Sequence, residues 1–310
     1  MLAERGSVDD LGRLAAAGYA FDLKVDGIRA LVSTQPAAAA PRVQMTTRLG
    51  AGLTMRFPEL RDALLTVASE RPGLVLDTEV AVPDERGLPS WPLTQQRTAQ
   101  RSGAARWAAE LPARLYVFDL LGLDGEPTTG WTYDQRRDAL EQVAAGWTPP
   151  LGLTLTSVDP WPLWEVVTGH GLEGVIAKRR GSRYRRGRSA DWVKIKTLRT
   201  VSCLVGGVDW GPAADLPGAP REYPRALDLY LLDADGELRP MGRVGASTSD
   251  RLRRQILDGL RRPPLIVEIE YASVTAAGRL RQPVLRQVRT DVGVLDCGMD
   301  QLAAPDGSSG

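Results

Sequence analysis

After Arg199 the chain is broken into short apolar stretches at residues 201–208, 226–232, 239–244, 265–274 and 284–289, divided by Gly, Pro and Asp. Stretches of this length and spacing read as strands, because each is too short for a helix and ends in turn-forming residues. A helical pattern at 249–260 interrupts them, with Ser249 placed to cap it. Five strands and one helix leave few arrangements that hide the sheet edges, and a small Greek-key barrel is the expected one.

The preceding residues mix the two periods. Alternating stretches at 19–25, 29–32, 42–47, 74–82, 115–121, 175–178 and 192–196 predict strands, with Asp26-Gly27 as a turn between the first two. Residues 58–70 have helical spacing and open on Pro58, where a helix accepts proline; 133–145 is amphipathic and 162–167 is a shorter helix. Residues 94–111 read as partly helical and 35–41 as an Ala/Pro surface loop. The boundary between the two textures falls near residue 198, and the tail 303–310 is expected to be disordered.

Composition removes several chemistries. The 310 residues contain two cysteines, Cys203 and Cys297, too few for a disulfide framework, and one histidine, His170, which cannot build a His-rich metal site and reads as structural or solvated, leaving Ser-His-Asp chemistry poorly supported. No apolar run is long enough to span a bilayer, and a cytoplasmic location is expected. Net charge is only +1, yet residues 178–199 hold ten Lys or Arg against the single acid Asp191, a local patch suited to phosphates.

Lysine is scarce. Of 39 Lys plus Arg only Lys24, Lys178, Lys194 and Lys196 are lysines. Arginine cannot replace lysine where an amine must shed its proton and attack, so these four are candidates for positions where the amine itself is needed, with chance the competing explanation for any one of them. Lys24-Val25-Asp26-Gly27-Ile28-Arg29 places such an amine beside a turn, with the Asp26 carboxylate two residues on and Arg29 able to hold a phosphate. A free lysine titrates near ~10.4, so partial desolvation or nearby cations must activate it as a nucleophile. Taken alone, that segment could equally be a charged surface hairpin. Lys194 and Lys196, two apart on a strand, project from one face and can reach one phosphate.

Together these segments resemble the nucleotidyltransferase superfamily of ATP-dependent DNA ligases, RNA ligases and capping enzymes. Lys24 to Arg29 is similar to its motif I, which implies that Lys24 carries AMP. Arg48 and Gly50, followed by Phe57-Pro58-Glu59-Leu60, resemble an arginine-bearing segment of DNA ligases, where Arg48 would contact the nucleotide sugar or a DNA phosphate. Leu76-Asp77-Thr78-Glu79-Val80 resembles motif III, implying that Glu79 binds ribose or a metal-linked water, although Thr78 replaces the usual Gly. Tyr116 to Leu121 looks like motif IIIa, with Phe118 stacking on adenine or, on its own reading, simply core.

Glu173 to Lys178 is similar to motif IV, with Glu173 serving a catalytic metal, and Asp191 to Lys196 to motif V, with Lys194 and Lys196 on the α-phosphate. Asp22 sits where many DNA ligases read the adenine amino group, and Arg97 is a further candidate. Arg289 and Asp291 resemble motif VI, whose closing lysine is here Val292.

The resemblance implies an α+β nucleotidyltransferase (adenylation) domain built on antiparallel sheets over 1–198, then an OB-fold domain over 199–302. Its reaction would be ATP-dependent sealing of nicked or broken duplex DNA in repair, through a lysyl-AMP and a DNA-adenylate, with Mg2+ or Mn2+ held by Glu79 and Glu173. Nothing recognisable as an extra DNA-binding domain precedes motif I, as in the minimal bacterial ligases (ligase C and the ligase domain of ligase D). A monomer is expected, with a repair polymerase or end-binding proteins as partners. The alternatives are an RNA ligase or capping-type enzyme, and a catalytically silent nucleic-acid clamp.

Overall fold

The computed structural model describes residues 1–35, 42–100, 102–197, 199–212, 222–246, 249–275 and 277–302. Most of the loop expected at 35–41 and the whole tail at 303–310 lie outside them. The chain divides into two compact units, Met1–Thr197 and Leu198–Gly310.

The first unit runs β1 (Leu2–Arg5), α1 (Asp10–Ala16), β2 (Tyr19–Leu23), β3 (Ile28–Gln35), β4 (Arg42–Thr47), α2 (Pro58–Glu70) and β5 (Val75–Pro83). It continues through β6 (Pro89–Ser90), α3 (Trp91–Ala99), α4 (Ala104–Glu110), β7 (Arg114–Leu123), β8 (Glu126–Pro127) and α5 (Tyr133–Val143). It closes with β9 (Leu151–Leu153), β10 (Thr156–Ser157), α6 (Pro160–Gly169), β11 (Gly174–Arg179) and β12 (Arg188–Lys196).

Two sheets result. One has the order β1-β12-β11-β2-β10; the other runs β4-β3-β5-β7-β8, with β6 and β9 attached. All pairings within them are antiparallel except β1 with β12 and β7 with β9. Each sheet buries one face under helices, as the two-residue period requires. Leu11 and Leu14 of α1 and Leu163 and Val167 of α6 cover Phe21, Val175, Ala177 and Ile195. Leu60, Leu64 and Val67 of α2 and Leu140 and Val143 of α5 cover Val32, Leu76, Val80, Leu115 and Val117. The opposite faces are free to carry polar groups.

One expectation fails informatively. Asp26-Gly27 does not close a hairpin: β2 pairs with β11 and β10, whereas β3 pairs with β4 and β5, so the dipeptide carries the chain from one sheet to the other. Gly27 is needed there for space, since a Cβ would stand 2.4 Å from the Val80 carbonyl oxygen.

The second unit contains β13 (Arg199–Pro212), β14 (Glu222–Leu232), β15 (Leu238–Gly245), α7 (Asp250–Leu260), β16 (Ile266–Tyr271), β17 (Ser273–Val274), β18 (Leu280–Arg281) and β19 (Val284–Arg289). Its main sheet has the order β15-β14-β13-β16-β19, and the edge strands β15 and β19 curl into contact. Leu252 and Ile256 of α7 join Val201, Leu227, Leu229, Val267 and Ile269 in the core. This curled antiparallel sheet with a helix between its third and fourth long strands is the OB arrangement. Cys203 and Cys297 are buried free thiols in it, and His170 is an exposed residue at the end of α6. No helix among the described residues is long and apolar enough to cross a membrane.

Candidate active site

Three rows of cross-strand neighbours build one wall of a cleft. Ala20, Lys178 and Trp192 form the first row, and Asp22, Ile176 and Lys194 the second. In the third, the Lys24 amide donates to the Gly174 carbonyl at 2.9 Å, and Gly174 is opposite Lys196. Successive rows are two residues apart on each strand, so Asp22, Lys178, Trp192 and Lys194 share the face turned away from the helices. Gly174 has φ 142°, and a Cβ there would lie 2.0 Å from the Ile195 carbonyl oxygen. Only glycine admits this approach of β11 to β12.

The facing wall comes from the second sheet. Arg29 on β3 stands opposite Glu79 on β5, and Glu79 opposite Tyr116 on β7. Arg29 grips Asp77 bidentately at 2.9 and 2.6 Å, and the Tyr184 hydroxyl donates to the same carboxylate at 2.7 Å. Between the walls is a cleft of about 250 Å3 lined by Asp22, Lys24, Arg29, Arg48, Glu79, Phe118, Lys178 and Lys194, together with Trp192, Arg188 and Thr154. Phe118 meets Trp192 edge-on at 6.1 Å between ring centroids. A neighbouring hollow of about 700 Å3 is lined by Arg29, Arg48, Arg186, Asp77 and Tyr184.

Glu173 lies just before β11 and takes two lysines: Lys24 pairs with one oxygen and Lys196, at 2.9 Å, with the other. Burial alone would push the Glu173 carboxyl up, but Lys24 and Lys196 together hold it below the ordinary carboxylate range. Glu79 behaves oppositely. Burial, reinforced by the Glu173 charge and only partly offset by Lys24, pushes it up to about 8. The Lys194 amine is held below its ordinary value by burial and by the cations Lys196, Arg188 and Lys24.

The remaining candidates divide. Asp26 lies on the crossing between the sheets, outside the cleft lining. Arg289 belongs to the second unit, where it pairs bidentately with Asp291 at 2.8 Å and with Glu268 at 3.0 Å; Val292 packs partly against that unit's core. Arg97 is not in the cleft. It is 2% exposed, donates to the Arg56 carbonyl at 2.6 Å and stacks over Phe57 at 4.8 Å, so it braces the Phe57-Pro58-Glu59-Leu60 segment from inside.

The basic run at 178–199 is not one patch either. Lys178 is buried against Asp22, Lys196 holds Glu173, Arg180 pairs with Asp134 and Arg185 with Asp191. Its exposed members include Arg183, Arg185, Arg186 and Arg188.

Several functional side chains carry no local signal in sequence. Tyr133 donates to Asp22 across 111 residues and Tyr184 to Asp77 across 107. Arg136 makes a fully buried bidentate pair with Asp119 and bonds the Trp131 carbonyl at 2.8 Å, fixing the start of α5 under the cleft. An arginine in the first turn of an amphipathic helix reads as surface, and only the fold reveals its carboxylate.

Paired antiparallel sheets enclosing a cleft, with a lysine at its edge between carboxylates and further lysines, define a nucleotidyltransferase. The profile of the ATP dependent DNA ligase domain matches residues 1–196. The chain belongs to that family. It is 31% identical over 319 residues to the multifunctional non-homologous end joining DNA repair protein LigD of Mycobacterium tuberculosis, covering 94% of this chain and 38% of that protein. DNA ligase C2 of Mycolicibacterium smegmatis is 32% identical over 235 residues, covering 74% of this chain and 62% of the relative. The solved structure of mycobacterial DNA ligase D complexed with ATP and MES aligns with a TM-score of 0.56 at 30% identity, covering 96% of each chain. The chain therefore spans little more than a third of the LigD proteins it matches.

Proposed function

We propose that this protein is an ATP-dependent DNA ligase that seals nicked or broken duplex DNA in repair through AMP carried on Lys24. The observation that carries the reading is the placement of Lys24: at the end of β2, beside the cleft, gripped by Glu173 and faced by Glu79. In the first step Lys24 Nζ attacks the α-phosphorus of ATP, forming an N–P bond as the P–O bond to pyrophosphate breaks. AMP then passes to the 5′-phosphate of the break, and the 3′-hydroxyl displaces it to join the strand. Such chemistry is chiefly positioning and charge neutralisation.

Lys194 and Lys196 supply positive charge to the α-phosphate from one face of β12, Phe118 stacks on the base, and Asp22 accepts its amino group. Arg29, Arg48 and Arg186 around the neighbouring hollow hold phosphates of the broken strand. Glu79 and Glu173 fit a divalent cation that takes one or two carboxylates and completes its shell with phosphate oxygens, since two partly buried acids on facing walls carry a repulsion that such a charge relieves. Mg2+ or Mn2+ held there would neutralise charge on the phosphates. Residues 1–198 act as the adenylation domain and 199–302 as an OB domain that clamps duplex DNA, with Arg289 and Asp291 serving the departing pyrophosphate. The LigD name supports end-binding proteins or a repair polymerase as partners.

One observation favours a second reading. The lysine expected after Asp291 is replaced by Val292, which is committed to packing, so a nucleic-acid clamp without self-adenylation is the rival. Incubation with α-labelled ATP separates the two. A covalent label on the wild type, absent from Lys24→Ala and Lys24→Arg while both remain folded, is expected; an unlabelled wild type, or a labelled Lys24→Ala, sinks the ligase reading. Sealing of nicked DNA in preference to an all-RNA nick is also expected.

A further inference from the structure

We propose that Tyr133 and Thr156, which lie outside every family motif, are positioning residues that set nucleobase selectivity by fixing the Asp22 carboxylate. The inference rests on the cleft being an ATP site and assigns a determinant of which purine it admits.

Asp22 is 1% exposed, on a strand whose neighbours are otherwise apolar. A carboxylate in such a place must be fully partnered or give up its charge. Its partners come from three separate elements. The Tyr133 hydroxyl at the first residue of α5 and the Thr156 hydroxyl on β10 each donate to Oδ1 at 2.9 Å. Lys178 on β11 lies 2.6 Å from Oδ2 and also donates to the Phe118 carbonyl at 2.8 Å. Tyr133 and Lys178 are themselves 2% and 1% exposed, so solvent cannot substitute for either. Burial and the adjacent Asp22 charge push the Tyr133 hydroxyl well above its ordinary range, so it stays an O–H donor.

The chemistry follows from counting lone pairs. A carboxylate offers about four acceptor sites. Two are filled by the hydroxyls on Oδ1, whereas Oδ2 is buried, ion-paired with Lys178 and accepts no hydrogen bond among the described residues, which leaves it open to an incoming N–H. An exocyclic amine at position 6 of a purine satisfies it, whereas a carbonyl oxygen there would set acceptor against acceptor. Two hydroxyls on Oδ1 prevent the carboxylate from turning about its Cβ–Cγ bond, and Lys178 ties the same group to the backbone of Phe118. A capping box fixes the origin of α5, with the Thr132 amide donating to Gln135 at 2.9 Å, so the Tyr133 ring enters from a rigid helix start.

The test compares self-adenylation of the full chain by ATP and by purine riboside triphosphate, which lacks the 6-amino group. Tyr133→Phe and Thr156→Val should each raise KM for ATP about tenfold with kcat nearly unchanged, the size expected for loosening one hydrogen bond to a charged acceptor. With purine riboside triphosphate the same variants should match the wild type, and Thr156→Ser should recover the ATP value lost in Thr156→Val. Equal KM increases for both nucleotides would mean the hydroxyls merely support the fold, and would overturn the proposal. Equal use of the two nucleotides by the wild type would overturn it as well. A wild type that takes label from neither nucleotide removes the ligase reading itself, an outcome visible before any variant is made. Should Tyr133→Phe fail to fold, Thr156→Val at the surface-proximal end of the same network gives the same comparison.

Discussion

Two glutamates flank Lys24, and burial decides their charge differently because their partners differ. Glu173 has two lysines and stays ionised; Glu79 has none within bonding distance among the described residues, and burial raises it to about 8 from 4.5. Between those values the folded chain keeps a proton that the unfolded chain has lost. Stability conferred relative to a neutral side chain is therefore present at low pH and falls as pH rises from about 4.5 to about 8. Glu79→Gln cannot lose a proton and should not share that decline. Thermal melts in metal-free buffer are expected to show its advantage over wild type widening across that window; a constant difference would mean Glu79 is already ionised at pH 5. At this scale the scarcity of lysine and the position of Glu79 on an alternating strand singled out Lys24, Lys194 and Glu79, which the fold brings to one cleft, while Glu173, ahead of its strand, could locally have been a surface acid. The sequence was a poor guide to Arg97 and Arg136, whose buried carbonyl and carboxylate partners lie 41 and 17 residues away, outside their own helices.

The elements place these groups through period and close approach. Residues 58–70 were legible as α2 to the residue, since Pro58 opens the helix and Leu60, Leu64 and Val67 repeat at its period. Strand β12 is longer than its apolar core at 192–196 because its early residues pair with β1, which no local pattern announces. The approach of β11 to β12 at Gly174 makes a sharp prediction. Gly174→Ala meets the Ile195 carbonyl oxygen at 2.0 Å and an unfavourable φ. It should cost about 2–4 kcal/mol of stability in denaturant titration and weaken the Lys24 label by moving Glu173. A variant as stable as wild type would show that β11 can retreat without loss. The Asp26-Gly27 crossing illustrates the opposite limit, since a turn dipeptide specifies a sharp bend but not which sheet receives the next strand.

For the whole molecule, a net charge of +1 excludes a polycation, so any grip on DNA must come from local cations. Arg186 lines the hollow beside the cleft, and Arg183, three residues earlier, is exposed as well; neither belongs to the internal ion pairs described above. Binding to nicked duplex should weaken steeply with salt, and replacing both arginines by alanine should lower the slope of log K against log salt by about 2. An unchanged slope would place the phosphate contacts elsewhere. The sequence by itself determined the set of chemically able residues, the two textures on either side of Leu198, and the shared face of Lys194 and Lys196, because these depend on residue type and a period of two. Tertiary structure alone decided which basic residues are spent on internal carboxylates, that Asp22 is held by Tyr133 and Thr156, and that motif I bridges two sheets. Such facts join residues of different elements, some more than a hundred positions apart, where local periodicity carries no information and only the tertiary fold brings donor to acceptor.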